Sequence, residues 1–174
     1  MSKKEAIHFI ITGGTIDSFY EGTKDTVIPL PHSSVPAFLK NLKLYDDVEF
    51  TEICMKDSRA LNQKDVQRIA RAIQKSPHKK IIITHGTYTM PDTARFLKAN
   101  LKRNDQAIIL TGSMIPLMGF APSDAPFNLG YSVAKIEELS PGIYVAMNGR
   151  IFAPEEVAKL LNEGRFISVF GERK

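Results

Sequence analysis

Lys79-Lys80-Ile81-Ile82-Ile83-Thr84 runs directly into His85-Gly86-Thr87-Tyr88-Thr89. Branched apolar residues in succession, without polar alternation, mark a strand buried on both faces, as in a parallel sheet covered by helices. Gly86 turns the chain out of that strand. Thr89 with Asp92 three residues on, and Pro91 between them, then signals a helix start in the form of a capping box. Met90, Ala94, Leu97 and Leu101 recur at helical spacing and form the helix's apolar stripe. The local unit is strand, glycine turn, helix.

The unit recurs on either side. Residues 7–11 are an apolar, branched run that reads as a buried strand, and Thr12-Gly13-Gly14-Thr15-Ile16-Asp17 follows it. Adjacent glycines permit a tight turn and close backbone approach to a ligand. Thr15 is thereby held at the carboxyl end of its strand, where open α/β sheets bind their ligands. Nucleophile, ligand-orienting group and turn residue bonding its own backbone are all open readings of its hydroxyl. Residues 17–25 show no period and read as a loop, either a lid or a surface connection.

Ser33 or Ser34 caps a short helix through residues 35–40. Residues 48–54 largely alternate apolar and polar, as a strand toward a sheet edge does, and residues 55–59 form a polar turn after it. Asn62 with Asp65 opens a helix whose buried face is Val66, Ile69, Ala70 and Ile73. Downstream come a strand at 106–111, the turn Gly112-Ser113-Met114, a helix over about 127–139 and a strand at 142–147. Pro154 with Glu155 and Glu156 reads as another helix start, and residues 166–170 as a last strand. The alternation predicts a single α/β domain over residues 1–174. Its sheet is open, mainly parallel and twisted, with helices on both faces.

Composition narrows the function class. Apolar residues at 43% and charged ones at 24% exclude a disordered or fibrous chain. The net charge of +4, with basic pairs at Lys3-Lys4, Lys79-Lys80 and Arg173-Lys174, is a mild excess without aromatic interleaving, so no nucleic-acid partner is expected. No apolar run is long enough for a membrane span, and no secretory h-region precedes the first strand. A lone cysteine, Cys54, excludes an internal disulfide and a multi-cysteine metal site. A reducing, cytoplasmic setting is the expectation.

Thr15, Asp57-Ser58, Gly86-Thr87 and Gly112-Ser113 all fall at strand ends, and right-handed connections gather them on one rim. Hydroxyls and backbone amides suit acyl transfer, in which a threonine attacks a carbonyl and N–H groups hold the oxyanion. A threonine hydroxyl needs a base; His85 and Lys159 are candidates on chemistry alone. Neither G-x-G-x-x-G, a P-loop nor G-x-S-x-G occurs, which weakens dinucleotide, nucleotide and α/β-hydrolase readings.

The chain resembles the bacterial-type L-asparaginases. The resemblance rests on Thr12-Gly13-Gly14-Thr15-Ile16, then Ile83-Thr84-His85-Gly86-Thr87 with Thr89-Met90, and Gly112-Ser113-Met114. It continues through Ser123-Asp124-Ala125-Pro126-Phe127-Asn128-Leu129 to Met147-Asn148. These motifs match the family's N-terminal domain, so the resemblance implies a short, single-domain member without the family's smaller C-terminal domain. It implies hydrolysis of L-asparagine, possibly of L-glutamine, to the acid and ammonia through a threonine acyl intermediate, with no cofactor and no metal. The alternatives are a non-catalytic amino-acid-binding domain and an amidohydrolase subunit of a larger amidotransferase-type complex.

By the same resemblance, Thr15 is the nucleophile, Thr87 and Lys159 handle protons, and Tyr20 is a lid tyrosine supporting Thr15. Ser58, with backbone amides near Gly86 and Thr87, binds the substrate α-carboxylate; Asp57, Tyr88 and Ser113 are further candidate substrate-binding residues on the same rim. A homo-oligomer, a dimer or larger, is expected to cover the open rim. Two departures stand out. Tyr88 occupies the place of an aspartate that orients the lysine and anchors the substrate amino group, a charge that Asp57 or Asp17 would have to supply. Ala60 and Leu61 stand where the family has Asp-Met.

Overall fold

A computed structural model describes residues 5–171. The basic pairs Lys3-Lys4 and Arg173-Lys174 lie outside them. The main sheet has six strands: β1 (Ile7–Gly13), β4 (Val48–Lys56), β5 (Lys80–Thr84), β6 (Ala107–Thr111), β7 (Gly142–Met147) and β8 (Arg150–Phe152). Their order is β4-β1-β5-β6-β7-β8, parallel throughout except that β8 runs antiparallel to β7. As the alternation in 48–54 implied, β4 is an edge strand.

Register explains how successive isoleucines satisfy both faces. Phe9, Ile82 and Ile109 are aligned across β1, β5 and β6, and they pack with Val35 and Leu39 of α1 (Val35–Leu42) and Leu129 of α4 (Ala125–Ile136). Ile81 and Ile83 point the other way, toward Ile69 and Ile73 of α2 (Gln63–Lys75) and Ala94 and Leu97 of α3 (Met90–Asn100). Each isoleucine so buried contributes roughly 1.5–3 kcal/mol relative to exposure. Side-chain period two within an all-apolar strand thus requires helices on both sides.

Three segments depart from expectation. The loop expected at 17–25 contains half of a hairpin, β2 (Ser18–Glu21) with β3 (Thr26–Pro29), which pairs Tyr20 with Val27. The helix expected after Pro154 is instead a turn followed by β9 (Val157–Leu160), antiparallel to β10 (Arg165–Ser168). Gly164, at φ +61°, helps reverse the chain there, so backbone groups that a helix would have used pair across the ribbon. The last strand therefore exists but stands outside the main sheet. Finally, β8 was not anticipated. Its signal is Asn148-Gly149, at φ 55° and 73°, the residue pair suited to a two-residue hairpin turn.

Candidate active site

The rim at the carboxyl ends of β1, β4 and β5 is assembled by contacts too close for any side chain. Gly14 has φ 85° and ψ −173°, a region open essentially to glycine alone. A Cβ there would lie 2.4 Å from the Gly86 nitrogen, and one on Gly86 would lie 2.6 Å from Ser58 Cβ. The turn carrying Thr15 therefore rests on the turn carrying Thr87, which rests on the turn carrying Ser58. The Gly14 N–H also donates to the Lys56 carbonyl at 2.8 Å.

Thr89 reinforces this stack in a way the capping-box reading missed. It sits at the N-cap position of α3, but its hydroxyl donates to the Ser58 carbonyl at 3.0 Å and its N–H to Ser58 Oγ at 3.3 Å. Asp92 pairs with Arg95 and does not complete a box. The box at Asn62 and Asp65 does form.

Thr87 is buried, and Lys159 Nζ, brought in by β9, lies 2.7 Å from its Oγ1. Two residues 72 positions apart are thus in direct contact. Burial pushes the Lys159 pKa below the ordinary lysine value, the neighbouring Arg59 guanidinium pushes the same way, and Asp57 opposes both. Arg59 is the residue that sequence reasoning missed. It pairs with Asp57 through Nε at 2.9 Å and Nη2 at 3.3 Å, and its guanidinium lies 5.7 Å from the centre of the Tyr88 ring. That pairing holds the Asp57 carboxyl below its usual range. Nothing in the sequence marked Arg59 beyond its place next to Ser58.

Other expected site residues are placed differently. Ser113 is fully buried, and its hydroxyl donates to the Ile115 carbonyl at 2.6 Å, closing its own turn rather than facing the rim. Tyr20 is half exposed on β2 and its hydroxyl donates to Asp25, so its partner is the hairpin's own turn and not Thr15. Tyr88 is 54% exposed at the mouth of a cavity of about 220 Å³ that it shares with Lys159.

Asp17 is unavailable as a replacement charge. It is fully buried, accepting from Ser33 Oγ, Ser34 N and Ser34 Oγ, and so fixes the two serines that precede α1. Ser33 Oγ also accepts from Val35 N at 3.1 Å. Burial outweighs these bonds and raises the Asp17 pKa. Asp124 binds the N–H groups of Met114 and Ile115 and orients that loop.

His85 is not the base. Its Nδ1 lies 2.8 Å from the Gly86 carbonyl, which can only accept, so Nδ1 carries the hydrogen and Nε2 accepts from Thr93 Oγ1 at 3.0 Å. Full burial lowers its pKa to about 4, which keeps it neutral. Among the described residues no cluster of histidine, cysteine or carboxylates could hold a metal ion, and no helix is long and apolar enough to cross a membrane.

The asparaginase N-terminal family model matches residues 6–166, nearly the whole chain. The chain belongs to the asparaginase family. A glutaminase-asparaginase of Acinetobacter glutaminasificans is 30% identical over 181 residues, covering 97% of this chain and 54% of that protein. An L-asparaginase of Thermococcus kodakarensis is 33% identical over 119 residues, covering 67% of this chain and 36% of that one. Among solved structures, a probable cytoplasmic L-asparaginase of Campylobacter jejuni superposes with a TM-score of 0.80 at 29% identity, covering 95% of this chain and 53% of that one. The chain spans about half the length of the asparaginases it matches across most of its own length.

Proposed function

We propose that the chain is an amidohydrolase that releases ammonia from the side-chain amide of L-asparagine, with L-glutamine a second substrate, through an acyl intermediate on Thr15. The observation that carries this reading is the Lys159–Thr87 pair at 2.7 Å, on the turn that Gly86 packs against Gly14. Thr15 Oγ1 attacks the amide carbonyl and its proton passes toward the Thr87–Lys159 pair. The C–N bond then breaks with that proton returned to nitrogen, so that ammonia leaves and an ester remains on Thr15. Water activated by the same pair hydrolyses the ester, giving the acid and the free hydroxyl. The N–H groups of Gly86 and Thr87, which meet no acceptor among the described residues, suit the oxyanion.

Ammonia release from L-asparagine and L-glutamine tests this, with wild type beside Thr15→Ala and Thr87→Ala. Loss of the nucleophile or its proton partner is expected to lower kcat by about 10²–10⁴-fold or more. Turnover that survives Thr15→Ala would overturn the assignment. No turnover at all, with aspartate still raising the melting temperature, would favour a binding domain instead.

A homo-oligomer belongs to the same reading. Leu161 lines the cavity beside Lys159 and is 65% exposed, and Val169 and Phe170 just beyond β10 are exposed as well. Apolar surface next to an open site suits coverage by a second copy. Sedimentation is expected to give a dimer or larger species, and a fully active monomer would exclude it. The single free cysteine suits a reducing, cytoplasmic compartment.

A further inference from the structure

Lys159 reaches Thr87 from a ribbon of two four-residue strands, β9 and β10, that shares no ladder with the main sheet. A ribbon of that size is marginal by itself, so contacts with its neighbours must set its place. Val157 is fully buried in the cluster that holds Ala94 and Leu97 of α3, and side-chain alternation directs Lys159 to the same side of the strand. Apolar packing is non-directional and does not by itself fix a register. A polar tie does. Arg95 of α3 donates from Nη2 to the Val157 carbonyl at 2.7 Å and from Nη1 to Asp92 at 3.0 Å. The first of these is the one hydrogen bond among the described residues that joins α3 to β9. Charged groups around the amine are Arg59 and Asp57 from the turn after β4, and Asp92 and Arg95 from α3. Its pKa is shifted by the charges of Arg59 and Asp57, with Arg95 not among them. Arg95 therefore bears on Lys159 through place and not through charge.

We propose that Arg95 is a positioning residue for Lys159: held by Asp92 and bonded to the Val157 carbonyl, it sets the ribbon's register on α3 and with it the Lys159–Thr87 contact. Its effect on rate rests on the amidohydrolase reading, and its effect on the place of Lys159 rests on geometry alone. Val157 and Lys159 lie roughly 6–7 Å apart along the strand, so a slip at the first is passed to the second. Misplacement of a reacting group by about 1 Å costs on the order of 10²-fold in rate. Arginine is required and not merely a cation. A lysine at position 95 keeps the charge but has neither the planar fork nor the reach of the guanidinium.

Arg95→Lys and Arg95→Ala test this beside Lys98→Met, which breaks a second tie from α3, the ion pair of Lys98 with Glu155 ahead of β9. Two readouts are taken below the melting transition. One is steady-state ammonia release from L-asparagine. The other is the rate at which acetic anhydride acetylates Lys159 across pH, followed on its peptide by mass spectrometry. Both Arg95 variants are expected to lower kcat by about 10²-fold with KM within a few-fold. Both are also expected to move the Lys159 titration up toward that of an ordinary lysine, as the amine leaves its half-buried place. Lys98→Met is expected to change neither readout. A titration that stays put in the Arg95 variants, or that Lys98→Met moves as far, makes Arg95 a structural tie only and overturns the inference. Near-native kcat in the Arg95 variants of an active enzyme overturns it as well. If wild type releases no ammonia, the hydrolytic reading fails and the titration alone decides. An upward shift confined to the Arg95 variants then upholds the positioning of Lys159, and no shift removes it.

Discussion

On the proposed mechanism Lys159→Met is expected to lower kcat for ammonia release by about 10²–10⁴-fold while KM stays within a few-fold, because that mechanism gives the lost group the protons and not the substrate. Methionine keeps the length and the apolar stem that packs beside Tyr88 and Leu161, so the cavity persists without its amine. Lys159→Arg is expected to fail equally. A guanidinium keeps the hydrogen bond to Thr87 but cannot give up its proton near neutral pH. Steady-state kinetics on both variants checks this, and an arginine variant with near-native kcat would exclude lysine as the base. The same experiment carries a pH signature. Lys159 works as a base only when neutral, so rate rises with pH through its pKa, which burial and Arg59 hold below the ordinary value. Arg59→Ala removes a cation and frees Asp57, and both changes favour protonated lysine. The acid limb of the kcat/KM profile is therefore expected to move to higher pH.

Gly14→Ala is the substitution expected to damage the molecule most. Its φ of 85° and ψ of −173° place any side chain in a strained region, at about 1–3 kcal/mol. The new methyl would also meet Gly86 backbone at 2.4 Å, and overpacking of that kind costs roughly another 1–3 kcal/mol. Together these approach 3–5 kcal/mol, a large share of the ~5–15 kcal/mol that holds a domain folded. At about 2–4 °C per kcal/mol the melting temperature falls by roughly 10 °C. Gly164→Ala is the control, since φ there is also positive, at 61°, but nothing lies within 4 Å of the added carbon. Its cost is expected to stay near 1 kcal/mol. Equal melting temperatures for the two variants would show that the Gly14–Gly86 contact is not what holds the turns together.

The fold was legible because its signals are local and repeated. Consecutive isoleucines in β5, glycine turns after β1 and β5, and the Asn62–Asp65 box each follow from neighbouring residues. The end of the chain was not legible, because Pro154-Glu155-Glu156 has the chemistry of a helix start and only pairing with a segment downstream makes it a ribbon. At the site, the turns of Thr15, Thr87 and Ser58 could be read as one rim. The Lys159–Thr87 contact, spanning 72 positions, entered through resemblance alone. Arg59 had no signal, since its role depends on lying over Tyr88 and against Asp57, which side-chain geometry decides. Ser113 and Tyr20 were misplaced for the same reason. A hydroxyl near a rim finds its closest acceptor, and for these two that acceptor was local.

Lys159 rides on β9, whose ladder partner is β10 and not the six-stranded sheet. Arg95 reaching the Val157 carbonyl at 2.7 Å and Asn148 accepting from the Phe166 N–H at 2.9 Å help moor that ribbon. On the proposed mechanism the attacking hydroxyl and the amine that serves it ride on different sheets, which share a core through Val157 and Phe166. A ribbon of two short strands comes loose at a lower free energy than a doubly covered sheet. If the ribbon opens first, the proposed activity is expected to fall on heating before the main sheet unfolds.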